Sequence, residues 1–288
     1  MNYSNYEELL QICQQKELQI NEVALAVESK KNEKTIEELL LQMGEVFLVM
    51  EEAAQMGLAK IEKSPSGLSG GNAYKMKKAS PTLLSPMVKD AVAIGLAVNE
   101  ISAAQGRIVA CPTAGSCGIL PGAIIAFAKN NPTEKEKLYR ALFTAGAIGQ
   151  IIEQNACVSG AEGGCQAECG AAAAMAAGAL TELAGGSPEE VVQGATLAIK
   201  NLLGLACDPV AGLVEVPCVK RNGVLAAYSF IAAEMALAGI KSEIPPDEVI
   251  EAMYRIGRMM PAAIRETAEG GLATTGTGMK WKKRIEEA

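Results

Sequence analysis

The chain has 288 residues, 49% of them apolar but only 4% aromatic, and a net charge of −7. A chain of this length buries a large core. That core must be built from Ala, Leu, Ile, Val and Met, which favours close helix packing over a sandwich of bulky strands. The acidic balance, without a basic stripe, excludes nucleic acid as an expected partner. The complete lack of histidine excludes imidazole catalysis and histidine-bound zinc from this polypeptide alone.

The opening MNYSNYEELL is polar and acidic, with no apolar stretch of a secretory signal. A reducing, cytoplasmic setting is therefore expected, and with it eight unpaired cysteines. No uninterrupted apolar run reaches the length of a membrane span, so no membrane partner is expected.

Residues 6–29 carry apolar side chains at helical spacing (Leu9, Leu10, Cys13, Leu18, Ile20, Val23, Val27) and predict one helix. Residues 34–57 predict a second, with Gly57 as its C-cap. Together, residues 1–60 read as an N-terminal helical arm with an acidic outer face. Residues 64–81, SPSGLSGGNAYKMKKASP, break the periodicity. Amides around Gly67, Gly70 and Gly71 suit a carboxylate, but the spacing is not that of a phosphate loop. Residues 87–105 predict a helix, and 107–110 is the best extended segment.

CPTAGSCGILPG, residues 111–122, brackets Thr113, Gly115 and Ser116 between two prolines. Hydroxyls and free amides there suit a small polar ligand. Helices are predicted from about 118 and over 135–152. Residues 153–175, EQNACVSGAEGGCQAECGAAAAM, then pass from polar groups through glycines into a run of alanines. Glycine lets the main chain approach a ligand, and alanine lets helices approach each other. The alanine helix should reach residue 183. Ser187 and Pro188 start another helix, to about 203.

The segment LACDPVAGLVEVPCVKRNG, 205–223, is a second unusual loop, with Cys207 and Cys218. Helices over 223–239 and 246–256 follow, then a Gly/Thr-rich tail, 274–280. No strand–helix alternation, repeat or linker is present. The expectation is an all-α fold, a single helical catalytic domain over 1–288 with long ligand-bearing loops between helices.

Spacing alone leaves the cysteines open between a metal site and buried free thiols. No Cys-x-x-Cys pair exists. Cys13 and Cys111 fit packing roles, as small buried apolar groups.

Four stretches, SGLSGGNA (66–73), PTAGSCGILPG (112–122), NACVSGAEGGCQAECGAAAAMAA (155–177) and CDPVAGLVEVPCVKRN (207–222), resemble the iron–sulfur-dependent L-serine dehydratases. ETAEGGLATTGTG (266–278) fits as well. The resemblance spans nearly the whole chain and is nearest the alpha chain of the two-chain form. It implies L-serine as substrate, a beta chain as partner, and a [4Fe-4S] cluster held by Cys165, Cys207 and Cys218. Cys157 and Cys169 are set aside as packing. The chain ends in Glu286-Glu287-Ala288, so the terminal cysteine with which some fused relatives cap the cluster is expected to be absent.

Three thiolates leave one iron open to act as a Lewis acid on the serine hydroxyl. The resemblance and side-chain chemistry together nominate Ser66, Gly70, Gly71, Asn72, Thr113, Gly115, Ser116, Asn155 and Ser159 to bind substrate. Glu162 is the favoured α-proton base and ammonium partner, with Lys75 as a second base; a histidine from the beta chain is the other source. Two alternatives remain: a cluster-dependent cysteine desulfidase, and a non-catalytic iron–sulfur sensing subunit.

Overall fold

The computed structural model describes residues 2–80 and 83–287. Pro81 and Ala288, the last residues of two segments read above, lie outside them. The described residues hold thirteen α-helices and no strand, so the fold is all-α. Among the described residues, no helix is long and apolar enough to cross a membrane.

The centre is α9 (Ala171–Leu183), whose residues are buried without interruption from Ala171 to Thr181. Its sequence, AAAAMAAGALTEL, explains this: few side chains project beyond a methyl. Neighbouring helices can therefore lie close on every side. These are α6 (Ile119–Asn130), α7 (Lys135–Asn155), α10 (Pro188–Lys200) and α11 (Cys218–Leu237). Glycines set the closest approaches. A Cβ at Gly149 would sit 3.0 Å from the Met175 sulfur, and one at Gly178 would strike Ile148. On the other side, α5 (Pro86–Ala103) crosses α6 and α11 through Gly95, Gly122 and Ala226.

The first predicted helix is two. α1 (Tyr6–Lys16) ends at Glu17, which takes the left-handed conformation with φ 53°. α2 (Ile20–Asn32) restarts with a capping box between Gln19 and Glu22. Tyr6, Leu9 and Ile20 are buried in the core, so α1 and α2 are packed into the bundle. Asp247 at the start of α12 (Pro246–Met259) accepts the Tyr6 and Glu7 amides at 2.9 and 3.1 Å.

α3 (Ile36–Ala59) runs through Gly57, which is no C-cap. Gly57 is small because a Cβ there would sit 2.8 Å from the Cα of Ala97. The segment 107–110 forms no strand. The 64–81 loop hides a short helix, α4 (Asn72–Lys78). Its first amides are capped from a distance: Glu100 on α5 accepts Asn72 N–H at 2.8 Å and Ala73 N–H at 3.2 Å. α11 begins at Cys218, five residues before the expected start. The Gly/Thr tail is helical, α13 (Gly276–Glu286), with Thr275 as its N-cap.

Candidate metal centre and substrate loops

The stretch 153–175 is built in three pieces. α7 ends at Asn155, a one-turn helix α8 (Gly160–Gly163) follows, and a π-turn over Gln166–Gly170 leads into α9. Such widened turns occur often at functional sites, because they turn side chains out of the helix ladder. Cys165 stands at the head of this π-turn.

The Cys169 and Cys207 thiols neighbour that of Cys165. Sγ of Cys165, Sγ of Cys169 and a carboxylate oxygen of Glu168 lie within 4.8 Å of one another, all buried. Cys169, set aside as packing, is thus a thiol of this centre; four residues on from Cys165, it lies on the same helical face. Cys218 heads α11, buried, and its thiol is pushed up to about 12 by burial first and by the charges of Cys165 and Glu168 next. Cys165 itself is held well below the ordinary thiol range. The neighbouring Cys169 and Cys207 thiols are the main cause, and Arg221 adds to it. The nearness of Cys165 first, and burial next, push the Cys169 and Cys207 thiols up. Two soft thiols and one carboxylate lying together and buried, with Cys207 close by, fit a thiolate-bound metal group.

Arg221 is the cation of this centre. Its guanidinium donates to Ala206 O at 2.8 Å and Asp208 Oδ1 at 3.1 Å, and its charge lies close to Cys165. Asp208 also accepts Leu272 N–H at 2.8 Å, tying the C-terminal segment to the Cys207 loop.

Three loops meet around Cys218. The 111–118 loop is fixed by Asn222, fully buried on α11. Its Oδ1 accepts Gly118 N–H at 2.8 Å, and its Nδ2 donates to Gly115 O at 2.7 Å and Cys218 O at 2.9 Å. Asn99 donates to Gly115 O and Ala114 O at 3.3 Å. The 64–71 loop is fixed by Glu215, three residues before Cys218. Its buried carboxylate accepts Ser64, Ser69 and Ser66 hydroxyls at 2.5, 2.5 and 2.7 Å.

Glu168 joins the loops to the thiols. Thr113 Oγ1 donates to it and also meets Ser116 Oγ at 3.1 Å. A Cβ at Gly115 would run into the Glu168 carboxylate. A Cβ at Gly160 would sit 3.1 Å from Cys207 Sγ and 3.5 Å from Glu168 Oε2. Both glycines therefore keep open the space in front of this carboxylate. Burial raises Glu168 to about 7, helped by the negative Cys165 and Glu266 and opposed by Thr113 and Arg221.

Thr113, Gly115, Ser116, Cys165 and Cys207 are thus gathered around Glu168, and Asn222 ties the Cys218 carbonyl to that of Gly115. Ser66 lies at the edge of this group with its hydroxyl engaged by Glu215. Asn72 is bound through its Nδ2 to Glu100 at 2.7 Å. Gly70 packs on the backbone of Glu62 and Lys63, and Gly71 on Ile61. Asn155 is exposed, its amide donating to Ser4 O at 2.6 Å and Ile151 O at 2.8 Å. Ser159 caps α8, its carbonyl accepting Gly163 N–H at 2.9 Å. The Glu162 and Lys75 side chains are exposed, and neither makes a side-chain hydrogen bond or ion pair among the described residues. The sequence reading did not reach Glu168, Arg221, Asn222 or Glu215. For Glu168 one signal existed: it stands three residues after Cys165, on the same helical face.

A family model described as "Serine dehydratase alpha chain" matches residues 15–273. The chain is 50% identical over 287 residues to a protein of Bacillus subtilis (strain 168) named "Probable L-serine dehydratase, alpha chain", covering 98% of this chain and 95% of that one. It is 38% identical to the "L-serine dehydratase, alpha chain" of Peptoniphilus asaccharolyticus, over 96% of both chains. The "L-serine dehydratase" of Streptomyces coelicolor is 38% identical over 93% of this chain, which spans 60% of that longer protein.

Proposed function

This chain belongs to the serine dehydratase alpha chain family, and on that premise we propose that it converts L-serine to pyruvate and ammonia in the cytoplasm, together with a beta chain. The observation that supports the reading is the buried group of Cys165, Cys169 and Glu168, with Cys207 Sγ facing Glu168 across Gly160, Thr113 bound to Glu168, and Asn222 tying the head of the Cys218 helix to Gly115. Cys165, Cys207 and Cys218 would hold a [4Fe-4S] cluster, and Arg221 offsets part of the thiolate charge. When bound, such a cluster with one open iron supplies Lewis acidity to the departing hydroxyl.

The chain's own residues do the rest. Ser116 Oγ, Thr113 Oγ1 and the amides of the 113–116 loop receive the substrate carboxylate, held in place by Asn222 and Asn99. Ser66, Gly70, Gly71 and Asn72 shape the neighbouring wall through Glu215 and Glu100. The proton on the α-carbon passes to a base. Glu168 is better placed for this than Glu162 or Lys75, because it alone of the three lies against Cys165. Loss of the α-proton and of hydroxide leaves aminoacrylate, whose imine tautomer takes up water and releases ammonia. A histidine from the beta chain is the second source of a base, since this chain has none. Asn155 and Ser159, outside the gathered groups, stand on the approach from α7 to α8.

The test is turnover by the anaerobically reconstituted enzyme with its beta chain. Pyruvate and ammonia should form one to one from L-serine. L-Cysteine should give little sulfide. Sulfide release faster than serine turnover would favour the desulfidase reading. A cluster that forms but leaves both amino acids untouched would favour a sensing subunit.

A further inference from the structure

The segment 262–275 carries the last of the sequence motifs, yet no step above uses it. It is stitched to the Cys207 loop. Cys207 N–H donates to Ile264 O at 2.9 Å, and Glu266 N–H donates back to Cys207 O at 2.8 Å, an isolated parallel bridge. Leu272 closes the segment on Asp208, and a Cβ at Gly271 would strike that carboxylate.

Glu266 sits inside this strap with φ 66°, in the left-handed region that a non-glycine residue enters only at a cost. Nearby positions show that the chain uses glycine freely here: Gly270 and Gly271 follow within five residues. The conformation aims the Glu266 carboxylate at the space over Gly160. A Cβ on Gly160 would lie 3.0 Å from Glu266 Oε2, 3.1 Å from Cys207 Sγ and 3.5 Å from Glu168 Oε2. Two carboxylates and the Cys207 thiol thus converge on one face of Gly160.

Such a pair calls for a positive charge. Among the described residues, neither Glu168 nor Glu266 forms an ion pair. Arg221 is engaged with Ala206, Asp208 and Cys165, and Arg265 turns away to donate to Glu162 O at 3.3 Å.

We infer that Glu266 recognises the α-ammonium group of the substrate over Gly160, and so makes the enzyme select amino acids against hydroxy acids of the same shape. The inference rests on the serine reading above and deepens it. The ammonium sits next to the carbon that loses its proton, so holding it between Glu266 and Glu168 brings that proton to Glu168. Gly160 is the floor of this subsite: any side chain there would fill it.

The test uses the reconstituted enzyme with its beta chain, with L-serine as substrate and 3-hydroxypropanoate, which lacks only the ammonium group, as competitor. In Glu266→Gln the KM for L-serine should rise about tenfold or more, the loss of one charge-assisted contact. The inhibition constant of 3-hydroxypropanoate should stay within about twofold of wild type, since the lost contact is to a group this competitor lacks. In Glu266→Gly the same affinity pattern should appear with an unchanged or higher melting temperature, because glycine relieves the left-handed φ. An unchanged KM, or an inhibition constant rising in step with KM, would overturn the assignment. So would a lower melting temperature in Glu266→Gly, which would make the strained turn a structural one. Wild-type turnover of L-serine tests the premise, and the variant-to-wild-type ratios test Glu266, so the two failures read separately.

Discussion

Replacing Asn222 with alanine removes the one side chain that joins the 111–118 loop to the Cys218 helix. The structure fixes the amide orientation, because Oδ1 meets an N–H donor and Nδ2 meets two carbonyls. In Asn222→Ala the buried Gly118 N–H loses its acceptor, a desolvation penalty of about 1–3 kcal/mol. The two donated bonds are each worth about 0.5–1.5 kcal/mol. Gly115 O keeps Asn99 at 3.3 Å, so that loss falls at the lower end. The sum is a destabilisation of about 3 kcal/mol. Urea unfolding followed by far-ultraviolet circular dichroism reads it as a shifted midpoint at constant slope. Asn222→Asp sharpens the test: it keeps the acceptor for Gly118 but sets a carboxylate oxygen against two carbonyls, so it should be at least as destabilised. A loss under about 1 kcal/mol in Asn222→Ala, or wild-type stability in Asn222→Asp, would refute the bridge. Serine turnover should fall further than the folded fraction, because the loop and Cys218 lose their common anchor.

Two further outcomes follow from buried carboxylates. Glu215→Gln, which leaves the serine hydroxyls of the 64–71 loop without a charged acceptor, should cost about 2 kcal/mol and open that loop to proteolysis; unchanged melting and cleavage would count against the clasp. Glu182 is raised above 4.5, chiefly by burial, against hydrogen bonds from Thr144 and Asn21. Its folded form binds the proton more tightly than the unfolded chain, so its contribution is full below 4.5 and is lost as pH rises through the raised value. Glu182→Gln should therefore show a flatter decline of stability above pH 4.5, and an identical pH slope would dismiss the effect.

The helical character of the chain was plain in its sequence, as was the alanine helix at its centre. What was not plain depended on distant partners. The break between α1 and α2 lies at Glu17 to Gln19, where Leu18 carries the apolar spacing across the gap and hides it. Gly57 reads as a helix end until Ala97 is seen packed against it. α4 is hidden in a glycine-rich segment because its cap, Glu100, comes from another helix. The site divides along the same line. Motif positions pointed to Cys165, Cys207, Cys218 and the 113–116 loop. Glu168, Asn222 and Glu266 gain their roles only where three loops converge, which no local pattern encodes. The nearness of Cys169 to Cys165 depends on the π-turn at residue 166, which a four-residue spacing alone does not encode.

The central claim is that Cys165, Cys207 and Cys218 hold the catalytic metal group. Its most direct test is iron and acid-labile sulfide per chain, with visible absorbance, after anaerobic reconstitution of the enzyme and of single cysteine-to-serine variants. Cys165→Ser, Cys207→Ser and Cys218→Ser should each lose the cluster absorbance and serine turnover together, while Cys13→Ser, buried far along the chain in α1, keeps both. A full complement of iron and sulfide in any of the three variants would contradict the account.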